Sequence, residues 1–461
     1  MTLKRFDHQI HSANFMAKRK RCFNHNDPGT GKTITAIDAF TASHTALRAL
    51  VLCPLSILQV AWGNDIEKAS EYSYAIAHGN AKKRETAFAS GATFVLSNHD
   101  AVKWISEDLS LLEGFSHIIV DEYRAFKTRT SQRSKALRTL TSRCEYLWLM
   151  SGSPNTLSLC DLWYPALLID GGKRLGKNFW EFRAQVCSPK QVGPRAEHIQ
   201  WIDRPGAEVE VATQLKDISI RYALTDCIDM PDRIIRKLTL PMPTWLESAC
   251  KEFAKHAYLE LEGGDLNAIN AGAKEVKLLQ MLSGAVYDFE GKPVKIHNER
   301  YELVLDMVEE RRQTIVGFNW KHQLDSLKAE ATKRGVTFGV INGDVPLNKR
   351  TQIVDEFQRG ELQVLFLHPQ AAGHGLTLTN AQAVIWCSPT KDAEHFIQLN
   401  ARVYRNGQKQ VTEVICIAYQ DSPETAAYDI LEGKVSNVTS LLGILAEFSK
   451  SEKKPPCRQH L

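Results

Sequence analysis

No stretch of this 461-residue chain approaches the ~18 consecutive apolar residues of a membrane-crossing helix, which excludes proteins built of such helices. The opening residues also lack an apolar core followed by a small-residue cleavage site, so a cytoplasmic working protein is expected. None of the ten cysteines belongs to a CxxC pair, which removes the zinc-ribbon and dithiol-redox classes. Several fall instead inside apolar runs (Leu52–Cys53, Trp386–Cys387, Ile415–Cys416), where they read as small buried hydrophobes. One-sided charge is missing too: 57 Lys and Arg face 53 Asp and Glu, a net +4. A nucleic-acid partner would therefore be held by local groups and not by whole-chain attraction. There is no internal sequence repeat.

What is present is an alternation of short aliphatic runs with helical stretches. The runs Ala49–Cys53, Thr93–Ser97, His117–Val120 and Glu145–Met150 form one series. Thr314–Phe318, Phe338–Ile341, Gln363–Leu367, Ala383–Cys387 and Glu413–Ala418 form a second. Fully apolar runs separated by helices imply parallel strands covered on both faces. Two series predict an α/β protein of two lobes, 1–170 and 301–430, joined by a mainly helical insertion over 171–300. Within the insertion Arg233–Leu240 reads as a strand. Thr244 and Glu247 have capping-box spacing ahead of an amphipathic helix through Leu246, Ala249, Cys250, Phe253 and Ala257. A second helix is expected over Ala271–Ser283, and a frayed tail from Ser449 within 431–461.

The loop Asn26-Asp-Pro-Gly-Thr-Gly-Lys-Thr33 opens a helix over Thr33–Phe40. Gly29 and Gly31 let backbone N–H groups approach phosphate oxygens, and the helix N-terminus adds partial positive charge. Lys32 would reach the β- and γ-phosphates of ATP, and the Thr33 hydroxyl would ligate Mg2+. The strict pattern wants Gly at position 26; Asn is expected to close the loop by tolerating left-handed geometry. The run His117–Tyr123 ends in Asp121-Glu122, delivered at the carboxyl edge where parallel sheets bind ligands. Asp121 would hold Mg2+ through water and Glu122 would polarise the attacking water. Near the end of the second series, Arg402 and Arg405 are three apart and would share a helix face, their guanidinium groups aimed at a γ-phosphate. Each pattern alone also fits a blander feature: a Gly-rich turn, a charged strand end, a solvated basic helix face.

Taken in order, these segments resemble a superfamily-2 helicase of the Swi/Snf-like branch, over about Phe6 to Ala418. Gln9 is similar to the family's adenine-reading glutamine, and Asp27, Pro28, Gly29, Thr30, Gly31, Lys32 and Thr33 form its motif I. Leu50–Trp62 resembles motif Ia, Ile118–Lys127 motif II and Ser151–Trp163 motif III. Thr314 onward resembles motif IV, with Ile341–Val345 like the segment after it, and Ala371–Trp386 resembles motif V, with Gly375 carried over as a nucleotide contact. Gln398, Arg402, Arg405, Gly407 and Gln408 match motif VI. The resemblance implies two RecA-like lobes that close on ATP and Mg2+ at an interlobe cleft. In motif II, Tyr123-Arg124 replaces the family's small residue and His, so coupling between hydrolysis and movement must be arranged differently. The short length resembles phage-borne or fork-remodelling members, which would place the protein in a host cytoplasm.

The same resemblance carries over Pro54, Ser56, Ser97, Asn98, Asn319 and Thr377 as contacts to a nucleic-acid backbone, most naturally double-stranded DNA. Such short polar residues also favour caps and turns. The run Lys18–Arg21 reads as a solvated helix face before the phosphate loop, and Trp180 and Trp320 as packing residues. The expected protein is a monomeric, DNA-dependent ATP hydrolase that translocates on or remodels duplex DNA, with replication or recombination factors as candidate partners. A strand-separating DNA or RNA helicase is the alternative within the same chemistry. A nucleotide-gated DNA-binding module with little turnover is the alternative outside it.

Overall fold

The computed structural model describes residues 4–44, 47–154, 158–191, 198–262, 268–288, 290–372 and 376–451, side chains of 254–262, 268–273, Ala372 and Ser451 excepted. The chain divides into two compact units, 1–229 with 434–461, and 230–433. That division falls neither at 170 nor at 300. The block between is shared out, and its residues from 230 onward belong to the second unit. The last helix, Pro423–Ser451, contributes its later turns to the first unit, where Leu441 and Leu445 enter the core.

The first unit is built on strands β1 (Arg21–Asn24), β2 (Arg48–Cys53), β3 (Tyr74–Ala77), β4 (Phe94–Asn98), β5 (Phe115–Asp121), β6 (Tyr146–Met150) and β9 (Ser219–Ile220). They form a seven-stranded sheet in the order β3-β4-β2-β5-β6-β1-β9, every pairing parallel. Between β6 and β9 an antiparallel hairpin joins β7 (Cys187–Gln191) to β8 (Ile199–Asp203). Helices cover both faces, and each face has its own apolar cluster. Every residue of β4, β5 and β6 is buried, which is why their sequences read as largely apolar runs without alternation. β9 is too short, β1 too polar at Arg21 and Asn24, and β3 too little buried to announce themselves by pattern.

The second unit holds β10 (Arg233–Leu240), a small antiparallel pair β11 (Ala285–Tyr287) and β12 (Pro293–Lys295), then β13 (Thr314–Gly317), β14 (Phe338–Ile341), β15 (Val364–Leu367), β16 (Ala383–Trp386) and β17 (Thr412–Tyr419). Its parallel sheet runs β10-β17-β16-β13-β15-β14. The buried pair Arg300–Glu424 fixes this unit internally: both carboxylate oxygens accept guanidinium N–H groups at 2.6 and 2.7 Å. Arg300 also donates to the Cys387 carbonyl, and the Tyr419 N–H donates to Glu424.

Several expectations are corrected at this level. Thr244 is not a helix cap: Leu246 and Glu247 donate to the Pro243 carbonyl, so the helix Thr244–Glu262 starts one residue earlier, and Glu247 pairs with Lys251. Its apolar side packs as expected through Leu246, Cys250 and Phe253, against Met281, Leu282 and Tyr419. Lys18–Arg21 is not one solvated face, because helix α1 (Asp7–Arg19) stops inside it. Arg21 begins β1 and donates to the carbonyls of Thr141, Cys144, Leu168 and Ile169. Ser449 is buried in the terminal helix and not frayed; residues beyond Ser451 lie outside the described ones. Trp180 is 63% exposed. The Arg183 guanidinium lies over its ring and over Trp201, at 4.5 and 3.9 Å from the centroids.

Candidate active site

Register assembles the site of the first unit. Asn24 of β1 pairs with Met150 of β6, which pairs with Asp121 of β5, so three carboxyl ends stand in one row. Neighbouring strands are ~4.8 Å apart, which puts the residues just past that row within side-chain reach of one another. The contacts follow. Ser151 N–H donates to the Asn24 carbonyl, Ser151 Oγ donates to Glu122 Oε2 at 3.0 Å, and His25 Nε2 meets the Tyr123 hydroxyl at 2.8 Å. Glu122 is held at φ 54°, in the left-handed region. A bulky residue adopts it only where its surroundings over-determine the backbone, a condition that clusters at functional sites.

The phosphate loop runs from β1 into helix α2 (Lys32–Ala42). Gly31 has φ 81°, and a Cβ there would stand 2.2 Å from Gln9 Nε2, so only glycine permits that approach. Gly152 has the same importance, since a Cβ would come 2.7 Å from Pro28 Cδ where motif III crosses the loop. Asn26 does not adopt a left-handed backbone. It is buried and serves through its amide, with Nδ2 donating to Ser12 Oγ and Oδ1 accepting from Tyr222 N–H. The loop is thereby tied to both flanking segments. That is the physical reason a residue with a side chain replaces glycine.

Lys32 Nζ donates to the carbonyls of Asn26 and Asp27, at 2.9 and 3.2 Å. Burial lowers its pKa, opposed by Glu122, Asp121 and Asp27. Asp121 accepts Trp62 Nε1–H and the Glu122 N–H, while its carbonyl accepts from His99. Burial first, and then the adjacent Glu122 carboxylate, push its pKa up to about 6. Burial, helped by Arg221 and Lys32, keeps His25 neutral, its pKa lowered to about 3. Gln9 donates to the Thr30 carbonyl beside His8, and accepts from Phe6 N–H. Pro28, Gly29 and Thr33 are half-buried. The Asp27 carboxylate accepts from Arg221 Nη2–H and from the Leu224 N–H.

In the second unit, motifs V and VI interlock. Helix Ala393–Val403 carries Gln398, which donates to Glu394, and Arg402, whose carbonyl accepts from Leu378 N–H. That helix ends at Val403, so Arg405 does not share a helix face with Arg402. It lies in the following turn, where Gly407 has φ 97°, and donates to the Leu376 carbonyl at 2.8 Å. Gln408 closes the turn on Ala381 and Val403. Gly375 lies outside the described residues.

The carried-over backbone contacts are differently disposed. Thr377 is exposed and Ser56 half-buried, whereas Pro54 is buried behind β2. Ser97 is buried with its hydroxyl donating to Ala77, and Asn98 is buried beside His78. The Asn319 amide N–H groups are taken by Ser388 and Pro389. Sequence reasoning missed Trp62, His99, Tyr222 and Arg221 at the first site. Trp62 was visible as the last residue of motif Ia; the others carry no local pattern.

Comparison with known families bears on this geometry. The profile of the SNF2-related domain matches residues 8–267, more than half of the chain. The chain belongs to the SNF2-related family. A second profile, the helicase conserved C-terminal domain, matches residues 299–407 of this SNF2-related chain. It is 27% identical to protein p41 of Acyrthosiphon pisum secondary endosymbiont phage 1, over 83% of this chain and 84% of that protein. It is 24% identical to the Bos taurus DNA annealing helicase and endonuclease ZRANB3, over 94% of this chain but 40% of the relative. Beyond the phage protein, the chain spans only 36–58% of the length of the curated relatives it matches. Among solved structures it is similar to the Sulfolobus solfataricus SWI2/SNF2 ATPase core in complex with dsDNA, at 19% identity and TM-score 0.45, over 98% of this chain and 96% of that one.

Proposed function

We propose that this chain is an ATP-hydrolysing motor that moves along or remodels double-stranded DNA. The observation that carries the reading is the intact carboxylate pair Asp121–Glu122, set by strand register beside a phosphate loop within the SNF2-related match. Lys32 exchanges its two loop carbonyls for phosphate oxygens when a triphosphate enters. Glu122, oriented by Ser151, polarises the attacking water. Arg402 and Arg405 neutralise charge on the transferring phosphoryl group. The donors present suit a hard cation, because Thr33 offers a hydroxyl and each Asp121 oxygen keeps a lone pair beyond its one hydrogen bond. Mg2+ held there would supply charge neutralisation on the β- and γ-phosphates.

Glu122–Ser151 directly links motif II to motif III, and His25–Tyr123 links motif II to the phosphate-loop strand. These two bonds take over the coupling task of the family's histidine, which Tyr123-Arg124 replaces. Thr377 and Ser56, the accessible members of the carried-over set, are the proposed backbone contacts; such contacts suit a motor that must ignore sequence. ATPase rates measured with duplex, forked and single-stranded DNA and with RNA test the proposal. Low basal turnover that rises with duplex DNA is expected, together with displacement of a third strand from a triplex. Stimulation by single-stranded RNA with none by duplex DNA would overturn it.

A further inference from the structure

The phosphate loop is braced by a segment outside every motif. Strand β9 pairs with β1 (Phe23 with Ser219, Asn24 with Ile220), and the chain after it continues alongside the loop. His25 N–H donates to the Ile220 carbonyl and Asp27 N–H to that of Tyr222. In return Tyr222 N–H donates to the Asn26 side chain and Leu224 N–H to Asp27 Oδ2. Arg221 sits at the centre of this ladder with its side chain 6% exposed. Nη1 donates to the carbonyls of His25 and Tyr222 at 2.7 and 3.1 Å, and Nη2 donates to Asp27 Oδ1 at 2.6 Å. Its own N–H donates to Ser449 Oγ, which bonds the Leu445 carbonyl on the terminal helix.

A structural ion pair would explain the burial but not the choice of partners. Lys32 rests on the carbonyls of Asn26 and Asp27 and must leave both to engage a triphosphate. The loop keeps its shape through that exchange only if residues 25–27 are held by something else, and two of the three groups Arg221 grips lie on those residues.

We propose that Arg221 is a positioning residue for nucleotide, clamping residues 25–27 of the phosphate loop through the His25 carbonyl and the Asp27 carboxylate, with Ser449 anchoring the clamp. This rests on the reading of the loop as an ATP site. The test uses the full chain, with a fluorescent ATP analogue titrated to equilibrium and steady-state ATPase on duplex DNA. Arg221→Ala loses three charge-assisted bonds, two of them to the loop, and should raise Kd and KM by about tenfold or more, with a smaller change in kcat. Arg221→Lys should recover part of this, since an ammonium cannot span both acceptors. Asp27→Ala should reproduce the defect, and the double variant should be no worse than either single one. Ser449→Ala should raise KM less.

A variant Arg221→Ala that melts earlier yet keeps wild-type Kd and KM while folded would overturn the proposal, as would fully additive effects of Arg221→Ala and Asp27→Ala. If Arg221→Ala does not fold, Asp27→Asn and Ser449→Ala decide, and unchanged KM in both overturns it. A wild-type chain that neither binds nor hydrolyses ATP would instead sink the underlying reading of the site, and this clamp with it.

Discussion

Asp121 is the group whose replacement separates stability from function most cleanly. Its pKa is raised from 3.8 to about 6 by burial and by Glu122, so folding disfavours its carboxylate form. A group with a raised folded pKa stabilises fully below its unfolded value and loses that contribution as pH rises through the folded value. A shift of about 2 units at about 1.4 kcal/mol each gives a cost of about 3 kcal/mol at pH 7, falling below about 1 kcal/mol near pH 4. Asp121→Asn removes the charge and keeps an oxygen for Trp62 Nε1–H, while the Glu122 N–H loses part of its acceptor. The variant should therefore be about 2 kcal/mol more stable than wild type at pH 7, and hydrolytically dead. Urea unfolding of both proteins in chelator, followed by fluorescence of the buried Trp62, Trp148 and Trp163, measures this. The gap should close between pH 7 and pH 4. A variant no more stable at pH 7, or a gap that ignores pH, would refute the argument that this carboxylate is held against its solvation preference.

Three further outcomes are expected. Asn26→Gly restores the strict loop pattern yet should cost about 1–3 kcal/mol and raise KM for ATP, because Ser12 and the Tyr222 N–H lose buried partners; improved ATP binding would contradict the structural role given to Asn26. Arg405→Ala should cut duplex-stimulated turnover by ~10³ with ATP affinity nearly intact, read by single-turnover kinetics beside equilibrium binding. Glu424→Gln strands the buried Arg300 charge and should destabilise the second unit by about 3–5 kcal/mol, seen as a lowered melting transition.

Much of the architecture was legible. The buried parallel strands, such as β5 and β6, appeared as apolar runs because burial on both faces forbids alternation, and the helices of the second unit's 244–282 region appeared through their apolar side. β1, β3 and β9 were not legible, since β9 has two residues, β1 is bounded by the polar Arg21 and Asn24, and β3 is only partly buried. The motif residues also read correctly as a collinear set, while their local geometry did not. Spacing by three placed Arg402 and Arg405 on one helix, but the helix ends at Val403, where Tyr404 leaves helical geometry at ψ 83°. Ser97, Asn98 and Asn319 look like accessible polar residues until their partners Ala77, His78 and Ser388 are known.

By itself the sequence determined the chemistry on offer: a Gly-rich loop with Lys32 and Thr33, a paired Asp121–Glu122 and two late arginines. Those are local patterns, and local patterns survive in one dimension. Tertiary structure decided which groups restrain them. Only strand register sets Ser151 on Glu122 and His25 on Tyr123, and only the edge strand β9 brings Arg221, almost 200 residues on, against Asp27. Hydrogen bonds reach about 3 Å and are indifferent to separation along the chain, so a loop's neighbours are fixed by the fold, whatever its own sequence announces.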